Sequence, residues 1–261
     1  MGWMKCTVTH FGTASVLFEI GSLRILTDPV FDPPGTRYSV LGLAGYRRIS
    51  EPPTAPSLER LDAVLLSHDH HGDNLDRSGL AIARKASTIL TTKAGAGRLG
   101  GKARGLEPWE SVEIGGGGKE TIRVTAVPAQ HGPRWLVPIA GPVVGFVVEW
   151  AGQRGPLYIS GDTVLFDGIR EVARRFRVAA AFLHVGRATL AATGPLHYTL
   201  SAEEAAEAAE ILGRPACYPI HYEGWSHFRE GKADVDAAFA RKGLTGLVNW
   251  LPRGERAILN L

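Results

Sequence analysis

Apolar runs of strand length recur along this chain, and nearly every one hands over to a histidine or an aspartate at its C-terminal end. SLRILT leads to Asp28, DAVLLS to His68, TIRVTAVPAQ to His131, PLYISG to Asp162, AAAFL to His184 and ACYPI to His221. Strand ends in one sheet system share a rim, so side chains distant in sequence can converge there. Six of the nine histidines fall on or beside that rim, once His70 and His71 are counted with His68, His131, His184 and His221. A lone histidine at a strand end reads as a core or surface residue. A series of them mixed with carboxylates reads as a site.

The runs CTVTHF, ASVLFEI, LRILTD, LDAVLLSH, ASTILTT, TIRVTAVPAQH, VVGFVVEW, PLYISGD, VAAAFLHV, ACYPIHY and GLVNWL predict roughly ten strands. Helical patterns lie between them at 76–85, 167–176, 201–212 and 234–242. The third begins with Ser201 and has Glu204 three residues on, a capping-box signature, and Gly213 and Pro215 stop it. Strand clusters come first and last, each with helices after it, and neither a linker nor a repeat period interrupts them. The expectation is an α/β chain with two packed sheets flanked by helices. At 261 residues and 44% hydrophobic content, residues 1–261 are expected to form a single domain around a sizeable core. The proline-rich piece 32–56 reads as one long loop, a length often tied to function. The glycines at 115–118 read as a turn between strands.

Composition narrows the function classes. The 29 Lys and Arg residues against 26 Asp and Glu leave a net +3 spread along the chain, with no basic arm or block to grip nucleic acid. Cys6 and Cys217 belong to no metal or disulfide spacing and read as core thiols. The start lacks the pattern of a secretory signal, and the most apolar stretch, LVPIAGPVVGFVVEW, falls short of the ~20 residues of a membrane span. A cytoplasmic chain without stable membrane insertion is the expectation. GAGRLG, from Gly95, satisfies GxGxxG in form, but no apolar helix opens after it, so it fails as a dinucleotide fingerprint.

The densest element is LLSHDHHGDNLD, where His68, Asp69, His70, His71 and Asp73 fall within six residues. Imidazoles and carboxylates without thiolates suit a hydrolytic Zn²⁺ site, or one for Mn²⁺ or Fe²⁺. A tight loop after a strand can aim two or three of these groups at one ion.

The order Asp28, HDHHGDNLD, His131, GDT (Gly161 to Thr163) and His221 resembles the five motifs of the metallo-β-lactamase superfamily, over almost the whole chain. Within it, the SHDH start, the GDT turn and the PIHY ending are most similar to the branch of ascorbate-6-phosphate lactonase and N-acyl-phosphatidylethanolamine phospholipase D. The resemblance implies a four-layer αββα sandwich holding one or two ions. The family loop reads HxHxDH, whereas this chain has HDHHGDN. Counting back from Leu75 and Asp76 preserves Asp73 as the motif carboxylate, with one inserted residue. His71 then is the second histidine, and Asn74 stands where the family has its third. On that register His68, His71 (with His70 as the alternative), His131 and a bridging Asp162 hold the first ion. Asp73, Asp162 and His221 hold a second, weaker site, with at best the amide oxygen of Asn74. Asp28 is expected behind them, orienting a ligand histidine.

The mechanism implied is attack by a metal-activated water, with Asp73 orienting that water or taking its proton and His184 as a further catalytic candidate. Arg134 and Trp135 follow His131, and Tyr222, Trp225 and His227 follow His221. With His197, Arg134, Trp135, Tyr222 and Trp225 are the candidates for a substrate pocket. Three functions compete: hydrolysis of a small lactone, ester, amide or phosphodiester; a degenerate metal-binding scaffold; and a di-iron oxidoreductase, which the carboxylate-poor donor set disfavours. A small-molecule substrate is expected as the partner, and homo-oligomerisation is left open.

Overall fold

Period-two alternation builds the interior. In β2 (Val16–Ile20), Val16, Phe18 and Ile20 face one cluster while Leu17 faces another. In β11 (Val144–Trp150), Val144, Phe146, Val148 and Trp150 share the first cluster and Val147 points away from it. The shared cluster lies between two sheets, whose rings meet where Phe18 packs edge-on against Phe182 at 4.9 Å.

The computed structural model describes residues 4–40, 44–52, 58–116, 120–136, 140–259 and 261. The first sheet has seven strands, in the order β15 (Arg256–Leu259), β1 (Cys6–His10), β2, β3 (Leu23–Thr27), β6 (Ala63–Leu65), β7 (Thr88–Thr92) and β8 (Ala103–Leu106). The second has six, in the order β14 (Ala216–Ile220), β13 (Ala180–His184), β12 (Leu157–Ile159), β11, β10 (Thr121–Pro128) and β9 (Ser111–Gly115). Helices α1 (Arg77–Ala83) and α2 (Lys93–Leu99) lie on the outer side of the first sheet, where Ala83 and Leu99 pack with Leu17, Leu26 and Val64. Helices α3 (Asp167–Arg175), α4 (Ala202–Ile211) and α5 (Lys232–Arg241) cover the second, through Ile169, Val172, Ala205, Ala209, Val235 and Phe239. The result is the αββα sandwich.

Local chemistry sets the helix ends. Asp76 caps α1 by accepting the Gly79 N–H at 2.6 Å, and Ser201 and Glu204 form the reciprocal capping box of α4. Several expectations are corrected. GAGRLG, set aside as a dinucleotide fingerprint, lies largely within α2, which Thr92 caps at Gly95 N. GLVNWL forms no strand; Thr245–Leu247 is one 3-10 turn, and only Val248 bridges to Cys217. The edge strand is instead β15, whose apolar run is only the three residues of AIL after Arg256. The segment 32–56 is not a plain loop, because β4 (Arg37–Val40) and β5 (Ala44–Arg47) pair as a hairpin within it. Its residues 41–43 and 53–56, and the 117–118 part of the expected glycine turn, lie outside the described residues. Among the described residues, no helix is long and apolar enough to cross a membrane.

Candidate metal centre

Strand direction gathers the rim. β3 runs parallel to β6, and β12, β13 and β14 run parallel to one another. β10 shares the direction of β12, since both pair antiparallel with β11. The C-terminal ends of these strands therefore emerge on one side of each sheet, carrying Asp28, His68, His131, Asp162, His184 and His221 with them.

Three imidazoles meet at one point. His71 Nδ1 lies 3.0 Å from His68 Nε2 and 3.0 Å from His131 Nε2. His131 Nδ1 donates to the Tyr198 carbonyl at 2.9 Å, because a carbonyl can only accept; its Nε2 therefore turns a bare lone pair towards the cluster. Burial lowers the proton affinity of His68 and His71 well below that of a free imidazole and brings His131 to about 4. All three are neutral at pH 7, the form that ligates metals. Three such nitrogens cannot satisfy one another with hydrogen bonds. Asp162, fully buried, has a carboxylate oxygen within 4.8 Å of ligand atoms from His68 and His131.

Beside this group, Asp73, Asp162 and His221 form a second one, also within 4.8 Å and buried throughout. His221 Nε2 stands 3.4 Å from Asp73 Oδ2 and 3.5 Å from Asp162 Oδ1 without forming a hydrogen bond. The ring is held there by a left-handed backbone (φ 63°) and by the His221 N–H bond to Thr13 O at 2.7 Å. Burial opposes charge on His221, but the Asp162 and Asp73 carboxylates outweigh it and lift the group to about 9. Burial pushes the Asp162 carboxyl up. Its Oδ2 has no hydrogen-bond partner. Orphaned buried acceptors beside convergent neutral nitrogens are what a divalent cation satisfies, so the residues fit such an ion.

His70 packs its ring against His71 and His68, with centroids 4.3 and 4.7 Å away, but its Nε2 turns from the point where the other three nitrogens meet. It is exposed and donates from Nε2 to the Ala140 carbonyl at 2.6 Å, although a looser trio of His68, His70 and His71 also falls within 4.8 Å. Its neighbour Asp69 is held by Arg98 of α2 through two contacts, at 2.5 and 2.8 Å. The hairpin β4–β5 clamps the other side of the loop: Tyr46 Oη accepts the Gly72 N–H at 2.8 Å, and Tyr38 lies flat against Gly72. A Cβ at Gly72 would meet Tyr38 ring carbons at 2.4 to 2.7 Å, so Gly72→Ala is expected to destabilise the fold by about 1–3 kcal/mol. Urea unfolding checks this, and the cost should shrink in a Tyr38→Ala background.

Several expected roles are corrected. Asp28 does not orient His68, His131 or His221; its Oδ1 accepts the Ser67 N–H at 2.7 Å and its Oδ2 faces His184 Nε2 at 3.3 Å. His184 cannot reach a substrate, because it is fully buried with Nδ1 on Ser160 Oγ at 3.2 Å and Nε2 on Asp28. The Asn74 amide turns its N–H groups, not its oxygen, to the site, donating to Asp162 Oδ1 at 3.2 Å and Ser67 Oγ at 3.4 Å. His197 is tied to Glu204 at 2.9 Å and belongs to the α4 cap. Tyr222 packs on Trp250 behind the rim, and Trp225, 1% exposed, is buried against Tyr38 and Tyr46. Of the pocket candidates, Arg134 and Trp135 stay exposed, on a 3-10 turn three residues past His131. His227, which the sequence places on the rim loop after His221 without a ligand role, is buried and 2.9 Å from Asp73 Oδ2; it sits on a loop rather than at a strand end.

Comparison with known proteins agrees with this architecture. The family model described as "Beta-lactamase superfamily domain" matches residues 23–222. A UPF0173 metal-dependent hydrolase of Methanoregula boonei is 32% identical over 84% of this chain and 82% of its own. A second of that name, from Caldivirga maquilingensis, is 27% identical over 88% of this chain and 86% of its own. Among solved structures, a possible metal-dependent hydrolase from Veillonella parvula superposes with a TM-score of 0.80 over 99% of this chain and 100% of its own, at 19% identity, a likeness of fold alone. With its sandwich, its rim of histidines and carboxylates and a family match across most of its length, the chain belongs to the beta-lactamase superfamily.

Proposed function

We propose that this protein is a metal-dependent hydrolase that directs water onto a small lactone, ester, amide or phosphodiester. The observation that carries the reading is the meeting of His68 Nε2, His71 Nδ1 and His131 Nε2 around 3.0 Å separations, beside buried Asp162. His68, His71, His131 and Asp162 would hold one cation, and Asp73, Asp162 and His221 a second. Zn²⁺ suits this donor set best, with Mn²⁺ or Fe²⁺ as alternatives. When bound, such an ion lowers the pKa of water towards ~7 and offsets negative charge developing on the substrate.

The chain's own groups do the rest. The Tyr198 carbonyl fixes the His131 tautomer, so that ring presents a lone pair rather than a proton. Asp73 is the carboxylate that orients the water and accepts its proton; the neighbouring His227 and His221 pull its pKa well below the ordinary carboxylate value against the effect of burial. Arg134 and Trp135, both exposed beside His131, are suited to bind a substrate anion and to cover an apolar group. No serine or cysteine nucleophile is required. Relatives that carry the name metal-dependent hydrolase support the class of reaction and leave the bond cleaved to experiment.

The test is a panel of generic esters, lactones and phosphodiesters, run on native, chelated and reloaded protein with metal content measured beside each rate. Chelation should abolish turnover, and Zn²⁺ or Mn²⁺ should restore it. Undiminished turnover by protein shown to be free of metal would overturn the reading.

A further inference from the structure

We infer that His227 is a ligand of the second cation, supplying through Nε2 the nitrogen that Asn74 does not. This rests on the two-cation reading above and adds a ligand to it. His227 is 7% exposed, and its single polar contact is Nε2 against Asp73 Oδ2 at 2.9 Å; its Nδ1 is buried without a partner. The same Asp73 oxygen lies 3.4 Å from His221 Nε2, which in turn lies 3.5 Å from Asp162 Oδ1. Donor atoms bound to one ion at ~2.0–2.1 Å stand ~2.9–3.4 Å apart, a range that holds for both nitrogens against Asp73 Oδ2 and that the His221–Asp162 separation of 3.5 Å slightly exceeds.

Asn74 leaves room for this arrangement. Its amide N–H groups are spent on Asp162 Oδ1 and Ser67 Oγ, while its Oδ1 is buried and unpartnered. Asp73, Asp162 and His221 alone give three protein donors, and a nitrogen as the fourth would tighten the site while an ion that expands to five ligands keeps a position for water. His227 makes four, two carboxylates and two imidazoles. The ring is also pre-aimed: Tyr46 and Phe228 pack against it at a tilt, with centroids 4.4 and 4.6 Å away, and Trp225 meets it edge-on at 6.4 Å. The hairpin that carries Tyr46 therefore steers a ligand as well as bracing the metal loop. On this account the second site is held as firmly as the first, contrary to what Asn74 alone suggests.

The alternative is that His227 only donates a hydrogen bond to Asp73, and two measurements separate the roles. In the parent protein, ring-nitrogen NMR followed through a Zn²⁺ titration should show His227 Nε2 change to a metal-bound nitrogen as the second equivalent enters. Titration of His227→Ala and His227→Gln should each give one equivalent where the parent gives two, with the first equivalent unchanged. Gln keeps an N–H for Asp73, so a Gln variant that binds two equivalents like the parent would overturn the inference, as would a His227 Nε2 that stays protonated at two equivalents. If the parent takes up no cation at all, the hydrolase reading falls with it; if it binds two and the variants also bind two, only the role of His227 falls.

Discussion

Asp162→Ala protein is expected to retain at most one divalent cation and to lose hydrolytic activity by on the order of 1,000-fold, equivalent to about 4 kcal/mol of transition-state stabilisation. Asp162 shares one 4.8 Å group with His68 and His131 and another with Asp73 and His221. Its removal therefore takes a ligand from each site. The fold should tolerate the change, because burial works against the charge of this carboxyl and its Oδ2 has no hydrogen-bond partner among the described residues, which offsets the loss of the Asn74 N–H bond to Oδ1. Metal-free Asp162→Ala is expected to melt no lower than the metal-free parent. Cation stoichiometry, rate and melting temperature measured on the same preparations separate loss of the site from loss of the fold.

The second large effect concerns the two adjacent histidines. His71→Ala should strip the tighter cation and take activity with it, since it deletes the nitrogen that faces both His68 and His131 at 3.0 Å. His70→Ala should lower affinity by no more than the ~10 to 100-fold of a supporting residue, because its Nε2 is spent on the Ala140 carbonyl. Competition titrations against a chelator give the comparison directly. Equal losses from the two variants would mean that the loop rearranges and that the looser trio of His68, His70 and His71 is the binding form.

The layer order and the rim were legible because they depend on patterns that survive in one dimension. Alternation in VLFEI and VGFVVEW announces strands packed on two faces, and parallel strands deliver their C-terminal residues to a common side. What was illegible depends on contacts between distant segments. The place of His227 on the loop after His221 is visible in the sequence, but its contact with Asp73 is not, because that partner is 154 residues away. His184 sits at a strand end like the ligand candidates, yet parallel β12 seats Ser160 on one of its nitrogens and the facing sheet brings Asp28 to the other. The role of Tyr38 and Tyr46 was hidden in a proline-rich stretch whose hairpin pairs only over Arg37–Val40 and Ala44–Arg47. At the C-terminal end, apolar GLVNWL outscored the true strand RAIL, because Trp250 and Val248 pack beneath α4 and α5 while β15 needs only to pair with β1 at a sheet edge.

The central claim is that strand-end histidines and aspartates converge to hold a divalent cation. Anomalous diffraction at a metal absorption edge, from crystals of protein purified without chelator, tests it most directly. The account predicts an anomalous peak within bonding distance of His68 Nε2, His71 Nδ1, His131 Nε2 and Asp162. A peak coordinated by His70 while His71 points to solvent, or none at the rim in protein shown to be active, would contradict it.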